Sequence, residues 1–128
     1  MSLVQVITRL LRNGEETSEK HRNPKFRTRY YRERREKMME NAQQIIKSKL
    51  SSWKITYVDS TRGEIIVEKR QLVGKSDIVI SIYEISPIRS AIDVSSSLRS
   101  LPGDLGTSHT NIMDFFYVLD REVKPEKS

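Results

Sequence analysis

An α+β domain is the fold this sequence predicts: an antiparallel sheet of four to five strands, two long helices packed on one face, and a short helix at the N-terminus. Three observations carry that expectation. Two long stretches repeat apolar residues at three- and four-residue spacing, the signature of a helix with one buried face. Between them, four stretches alternate apolar and polar residues with period two. The connections between those four are short, which joins successive strands antiparallel. With 128 residues the chain suits one core, and a layered sandwich hides the single apolar face of each element.

The elements follow in order. Residues 2–12 form a short amphipathic helix, with Leu3, Val6, Ile7, Leu10 and Leu11 on one face and Ser2 as cap. Asn13-Gly14 ends it, and the polar residues 15–24 read as a linker. In 25–31, Phe26, Thr28 and Tyr30 alternate with Arg27, Arg29 and Tyr31, a short edge strand. The first long helix spans about 32–50 on a stripe of Met38 or Met39, Ala42, Ile45, Ile46 and Leu50. Then come strands at 53–59 (Trp53, Ile55 and Tyr57 on one face), 64–70, 77–85 and 90–98, with turns at Arg62-Gly63 and 74–76. The last strand sets Ile92, Val94 and Leu98 against a polar face of Asp93, Ser95 and Ser97. The final helix runs from Thr107 or Ser108 to about Val123 on Ile112, Phe115, Phe116, Leu119 and Val123. The organisation is therefore helix and linker over 1–23, one α+β domain over 24–123, and a fraying polar tail over 124–128.

Charge is the chief anomaly. The chain carries a net +6, yet residues 1–50 hold 13 Lys/Arg against 6 Asp/Glu, and the rest is nearly balanced. Nine basic and two acidic residues fall within 20–37. Cysteine is absent, which removes thiolate chemistry and cysteine metal sites and accords with a cytoplasmic setting. No apolar run approaches the length of a membrane span, and no secretory signal pattern opens the chain.

Candidate sites are few. Gly74-Lys75-Ser76 imitates the end of a phosphate-binding loop, but Lys69 stands where that motif needs glycine, and a strand follows instead of a helix. His21 and His109 are the only histidines, their spacing fits no metal pattern, and His109 reads as an exposed helix residue. Ser108, His109 and Asp114 make no triad, because helix neighbours point in different directions. Asp104, in Pro-Gly-Asp-Leu-Gly, reads as a loop-and-cap motif or as a small-ligand site with Arg99, Ser97 and His109. The face of Asp93, Ser95 and Ser97 reads as the solvated side of the sheet, or as a platform if Trp53, Tyr57 or Tyr83 shares it. Lys25, Arg27, Arg29, Arg32, Arg34 and Arg35, interleaved with Tyr30, read as a solvated charged helix face with Tyr30 and Tyr31 in the core, or as a surface for nucleic acid, an anionic membrane or a protein partner.

Thr28-Arg29-Tyr30-Tyr31, Trp53-Lys54, Gly63-Glu64-Ile65 and Ser96-Ser97-Leu98-Arg99 before Gly103-Asp104-Leu105-Gly106 and Ile112 resemble domain-of-unknown-function family 1499, of bacteria and plastids, over about residues 24–122. Ser108 and Asn111 depart from that pattern, where the family tends to Asn and Arg. The resemblance implies the domain boundaries and no chemistry.

The expected function is thus a cytoplasmic, non-enzymatic domain that binds a partner or small ligand, without cofactor or metal. The alternatives are a nucleic-acid-binding protein acting through 20–37, a peripheral protein on an anionic membrane surface, and an enzyme of unknown type built on Asp104, Arg99 and His109.

Overall fold

The computed structural model describes residues 14–71, 74–99 and 107–126. Its elements are β1 (Gly14–Glu16), a 3-10 turn (Pro24–Phe26), β2 (Arg29–Tyr31), α1 (Arg35–Lys49), β3 (Trp53–Asp59), β4 (Glu64–Gln71), β5 (Gly74–Ser86), β6 (Arg89–Leu98) and α2 (Thr107–Glu122). Short hairpins make β3 to β6 a meander, and every pairing is antiparallel. The sheet order is β1-β6-β5-β4-β3, and β2 also pairs with β6. β1 lies beside Ser95–Ser97 and β2 beside Ser90–Ile92, so two short strands share one edge of β6.

Both helices pack on the same sheet face. Met38, Met39, Ala42, Ile45 and Ile46 of α1 and Ile112, Phe115, Phe116 and Leu119 of α2 form one cluster with Ile65, Val67, Ile78, Ile80, Ile82, Ile92 and Val94. Those strand residues share one parity, as the period of two requires. Asn111, fully buried, carries the polar seam of this layer: Lys69 Nζ donates to its Oδ1 at 2.9 Å, and its Nδ2 donates to Ser96 Oγ at 3.1 Å.

The structure corrects several expectations. The sheet has six strands, because residues 15–24, expected as a linker, begin in β1. Backbone ladder bonds need no apolar pattern, so a three-residue polar strand leaves no periodicity to read. Only Arg29–Tyr31 of the expected 25–31 strand pairs as a strand; Pro24 and the Asn23 cap turn Pro24–Phe26 into a 3-10 turn. α1 starts at Arg35, three residues late, since Arg34 holds an extended backbone. In β3 a bulge between Ile55 and Tyr57 turns Tyr57 away from the helices and leaves it exposed. The expected turn at 74–76 belongs to β5, where Gly74, at φ +88, pairs with Gln71. Ser97 is fully buried, against its expected place on a solvated face. The tail does not fray through Glu126: Pro125 bridges Tyr31, and Glu126 N donates to Tyr30 O at 2.8 Å. The predicted helix at 2–12 and the loop bearing Asp104 lie outside the described residues.

Candidate anion-binding surface

The basic stretch is a loop pinned at its neck. After Thr17 the chain leaves the edge of β6 and returns at Thr28. Ser18 N donates to Phe26 O at 3.0 Å, and Thr28 N donates to Ser18 O at 3.2 Å. The hydroxyls of Thr17 and Thr28 both donate to Asp93 Oδ1, each at 2.7 Å, while Val94 N donates to Thr17 Oγ1 at 2.8 Å. Asp93 is therefore the clasp that holds both ends of the loop. Phe26 plugs its centre, with the ring of His109 edge-on at 4.6 Å and the ring of His21 tilted at 5.1 Å. His21 Nε2 sits 3.2 Å from Glu15 Oε1, and its Nδ1 accepts from Asn23 N at 3.0 Å. With the aromatic groups inward, Lys25 and Arg27 face solvent. Arg27 Nε donates to His21 O at 3.0 Å, which props its guanidinium outward.

Alternate residues of β2 serve two anchors. Arg29 Nη1 donates to Asp120 Oδ2 at 2.8 Å and lies 4.4 Å above the Phe116 ring. The buried Tyr31 hydroxyl donates to the other oxygen, Oδ1, at 2.7 Å. Burial raises the Asp120 carboxyl above the usual range, while the Tyr31 and Arg29 bonds pull it back. Burial also raises the Tyr31 phenol. Tyr30 points to the other side, where its hydroxyl bonds Glu19 and the Arg89 guanidinium lies 4.6 Å above its ring. The Glu19 bond, ahead of burial, raises that phenol. Arg89 also grips Glu126 with two nitrogens, at 2.9 and 3.0 Å, and Arg32 Nε lies 3.6 Å from the same carboxylate. This pairing lowers the Glu126 carboxyl below its ordinary value and raises Arg89.

Two open grooves meet along this line, sharing Arg89, Pro125 and Glu126. One, of about 900 Å³, is flanked by Arg27, Arg29 and Tyr30; the other, of about 1020 Å³, by Arg32, Ile88 and Lys124. Five cationic side chains thus line the pair against two carboxylates, Glu19 and Glu126. Of the residues singled out from sequence, Arg27, Arg29, Tyr30 and Arg32 come together here. Lys25 stands beside them, its carbonyl accepting from Arg29 Nη2 at 3.4 Å. Arg34 is exposed at the start of α1, and Arg35 turns away to donate to Thr61 O at 3.1 Å. Sequence reading missed Arg89 and Lys124, which lie far along the chain. It also passed over Ile88, although an isoleucine in a two-residue turn after Pro87 is an anomaly that a turn-by-turn reading could flag.

The second proposed set does not assemble among the described residues. Arg99 is spent on carboxylates: it donates to Asp77 through Nε at 3.2 Å and again through Nη2, and to Glu68 Oε2 at 3.0 Å. Lys75 Nζ completes the network 3.1 Å from Glu68, and these two cations hold Glu68 below the usual range. Ser97 Oγ is buried without a hydrogen-bond partner, on the face turned from the helices. His109 is exposed, as expected, but is committed to the Phe26 ring. Tyr57 and Tyr83 do share the outer sheet face, through the rows Tyr57-Ile66-Val79 and Tyr83-Ala91-Tyr30, whereas Trp53 is buried under the helices. The row between those two carries Asp59, Glu64 and Asp93, so the platform is acidic. Among the described residues no group of three or more His, Asp or Glu is placed to hold a metal ion, and no helix is long and apolar enough to cross a membrane. No protein-family model matches the chain, and no curated protein matches it.

Proposed function

We propose that this chain is a non-enzymatic binding domain for a phosphate-bearing polyanion, engaged along the joined grooves around Arg89. The observation that carries the reading is the convergence of Arg27, Arg29, Arg32, Arg89 and Lys124, from three separate parts of the chain, on one continuous surface. Ion pairs fix Arg29 and Arg89 and the Asp93 clasp fixes the ends of the loop, so the groove keeps its shape while exposed Arg32 supplies free charge. The family 1499 resemblance belongs to the same proposal as a statement of ancestry, and adds no chemistry to it.

Single-stranded RNA and phosphatidylserine vesicles, titrated with the full chain over a range of salt, test the reading. At least one should bind, with affinity falling steeply as salt rises; three phosphate contacts on RNA predict a log–log slope of about −2. Arg27→Glu with Arg32→Glu should lower the affinity by roughly tenfold or more, since each cation near such a surface contributes about 1 kcal/mol. Salt-independent binding, or none to either probe at low salt, would refute the proposal.

A further inference from the structure

The hairpin between β5 and β6 ends in an unusual tip. The register slips between Glu84 and Ser86, so Ile85 is the extra residue of a bulge. Pro87 and Ile88 then form the two-residue turn, with Ile88 N donating to Ser86 Oγ at 3.3 Å. The outcome is two exposed isoleucines three residues apart, Ile88 at 75% and Ile85 at 46% exposure. Scattered apolar residues need no explanation, but here a proline-stiffened tip concentrates them. Ile88 also lines the same groove as Arg32, Arg89 and Lys124.

We infer that this tip is a wedge that enters an anionic lipid surface, with Arg32 and Lys124 meeting the headgroups around it. The inference rests on the polyanion reading and names the partner. The neighbourhood separates a bilayer from nucleic acid. Bases bound on a basic groove stack on free aromatic faces, yet the rings beside these cations are already covered, Tyr30 by Arg89 and Phe116 by Arg29. The exposed Tyr57 and Tyr83 stand near Asp59, Glu64 and Asp93, which repel phosphates. A tip of aliphatic side chains beside cations instead matches the boundary between acyl chains and anionic headgroups. Arg32 is 90% exposed, so its charge is available to that surface. Glu84 at the tip opposes the attraction by one charge, and Glu126 is already neutralised by Arg89.

The experiment measures partition of the full chain, its Ile88→Ser and Ile85→Ser variants and Arg32→Ala with Lys124→Ala, onto phosphatidylserine-rich vesicles and pure phosphatidylcholine vesicles. Single-stranded RNA is the parallel probe. All substituted positions are accessible, and circular dichroism checks that each variant folds. The wedge predicts binding to the serine lipid alone, a loss of about tenfold for Ile88→Ser, a smaller loss for Ile85→Ser, and a loss of similar size for the charge variant. In Ile88→Trp the new indole should shift to the blue on vesicles. Vesicle binding that ignores both isoleucines overturns the wedge and leaves the polyanion reading standing. RNA binding without vesicle binding does the same. Failure of both probes removes both.

Discussion

Tyr31→Phe deletes one hydroxyl from a side chain with no solvent exposure and leaves its packing intact. The lost contact is the 2.7 Å bond to Asp120 Oδ1, which ties β2 to α2 beneath the basic groove. A hydrogen bond to a charged group contributes about 1.5–3 kcal/mol. Asp120 is 24% exposed and keeps its Arg29 partner, so water recovers part of the loss and the cost falls near 1.5–2 kcal/mol. For a domain of this size that is roughly 5–10 °C in Tm. The pH dependence sharpens the test. Burial places the Asp120 carboxyl above its ordinary range in the folded state. Such a group binds its proton more tightly folded than unfolded, so its contribution is most favourable below the unfolded value and is lost as pH rises through the folded one. Without the Tyr31 donor the carboxyl rises further, so the variant loses more at neutral pH. As pH falls below the folded-state value, Asp120 becomes neutral in both folded proteins and the deficit shrinks to under about 1 kcal/mol. Urea unfolding of both proteins at neutral and acid pH measures this directly. A deficit below about 0.5 kcal/mol at neutral pH, or one that grows on acidification, would show that the hydroxyl does not hold Asp120 as described.

Two further outcomes follow from the same contacts. Gly63 holds φ +74, and a methyl there would drive into the Ile82 carbonyl, whose residue donates N–H to Gly63 O at 2.7 Å. Gly63→Ala should therefore cost about 3 kcal/mol or more, against about 1–2 for Gly74→Ala at φ +88 in an exposed position; equal costs for the two by chemical denaturation would refute the clash. The Glu126 carboxyl, held down by Arg89, should titrate by NMR below the ordinary value of about 4.3. Its pairing is intact above the unfolded value and is lost as pH falls through the folded one, so the tail should detach from β2 only in acid. Arg89→Ala should return the midpoint towards the ordinary value, and an unmoved midpoint would contradict the pairing.

What could be read from the sequence divides along a physical line. Both helices and the four long strands announce themselves because each buries a face, and burial imposes a period: Met38, Ala42, Ile45 and Ile46, or Ile78, Ile80 and Ile82. β1 left no such trace, since its contribution is backbone pairing with Ser95–Ser97. The bulge at Ile55/Tyr57 was hidden for a related reason, as one inserted residue inverts the parity without changing composition. The basic stretch was visible as charge, but its form depends on Asp93, sixty-five residues beyond Thr28, and on Asp120 and Glu126 further still. No local pattern encodes such distant ion pairs. Arg89 shows the limit well: alone in its own segment, it becomes the meeting point of both grooves only once β6, β2 and the tail are side by side.

The energetics explain why charge and apolar tip belong to one device. Arg29 and Arg89 are committed to carboxylates, so Arg27, Arg32 and Lys124 carry most of the free attraction. At about 1 kcal/mol per charge near an anionic surface, and with Glu84 opposing them, they supply about 2 kcal/mol, which is weaker than a millimolar affinity. The accessible parts of Ile85 and Ile88 add about 2–3 kcal/mol when buried in the interface. Neither contribution alone holds the chain on a bilayer at micromolar concentration. Together they reach roughly the millimolar to sub-millimolar range, a reversible attachment of the kind that needs two weak signals rather than one strong anchor. Loss of the isoleucine pair and loss of the free cations should therefore each cost roughly tenfold or more in affinity, and binding that falls only with the cations would point to a partner that reads charge alone.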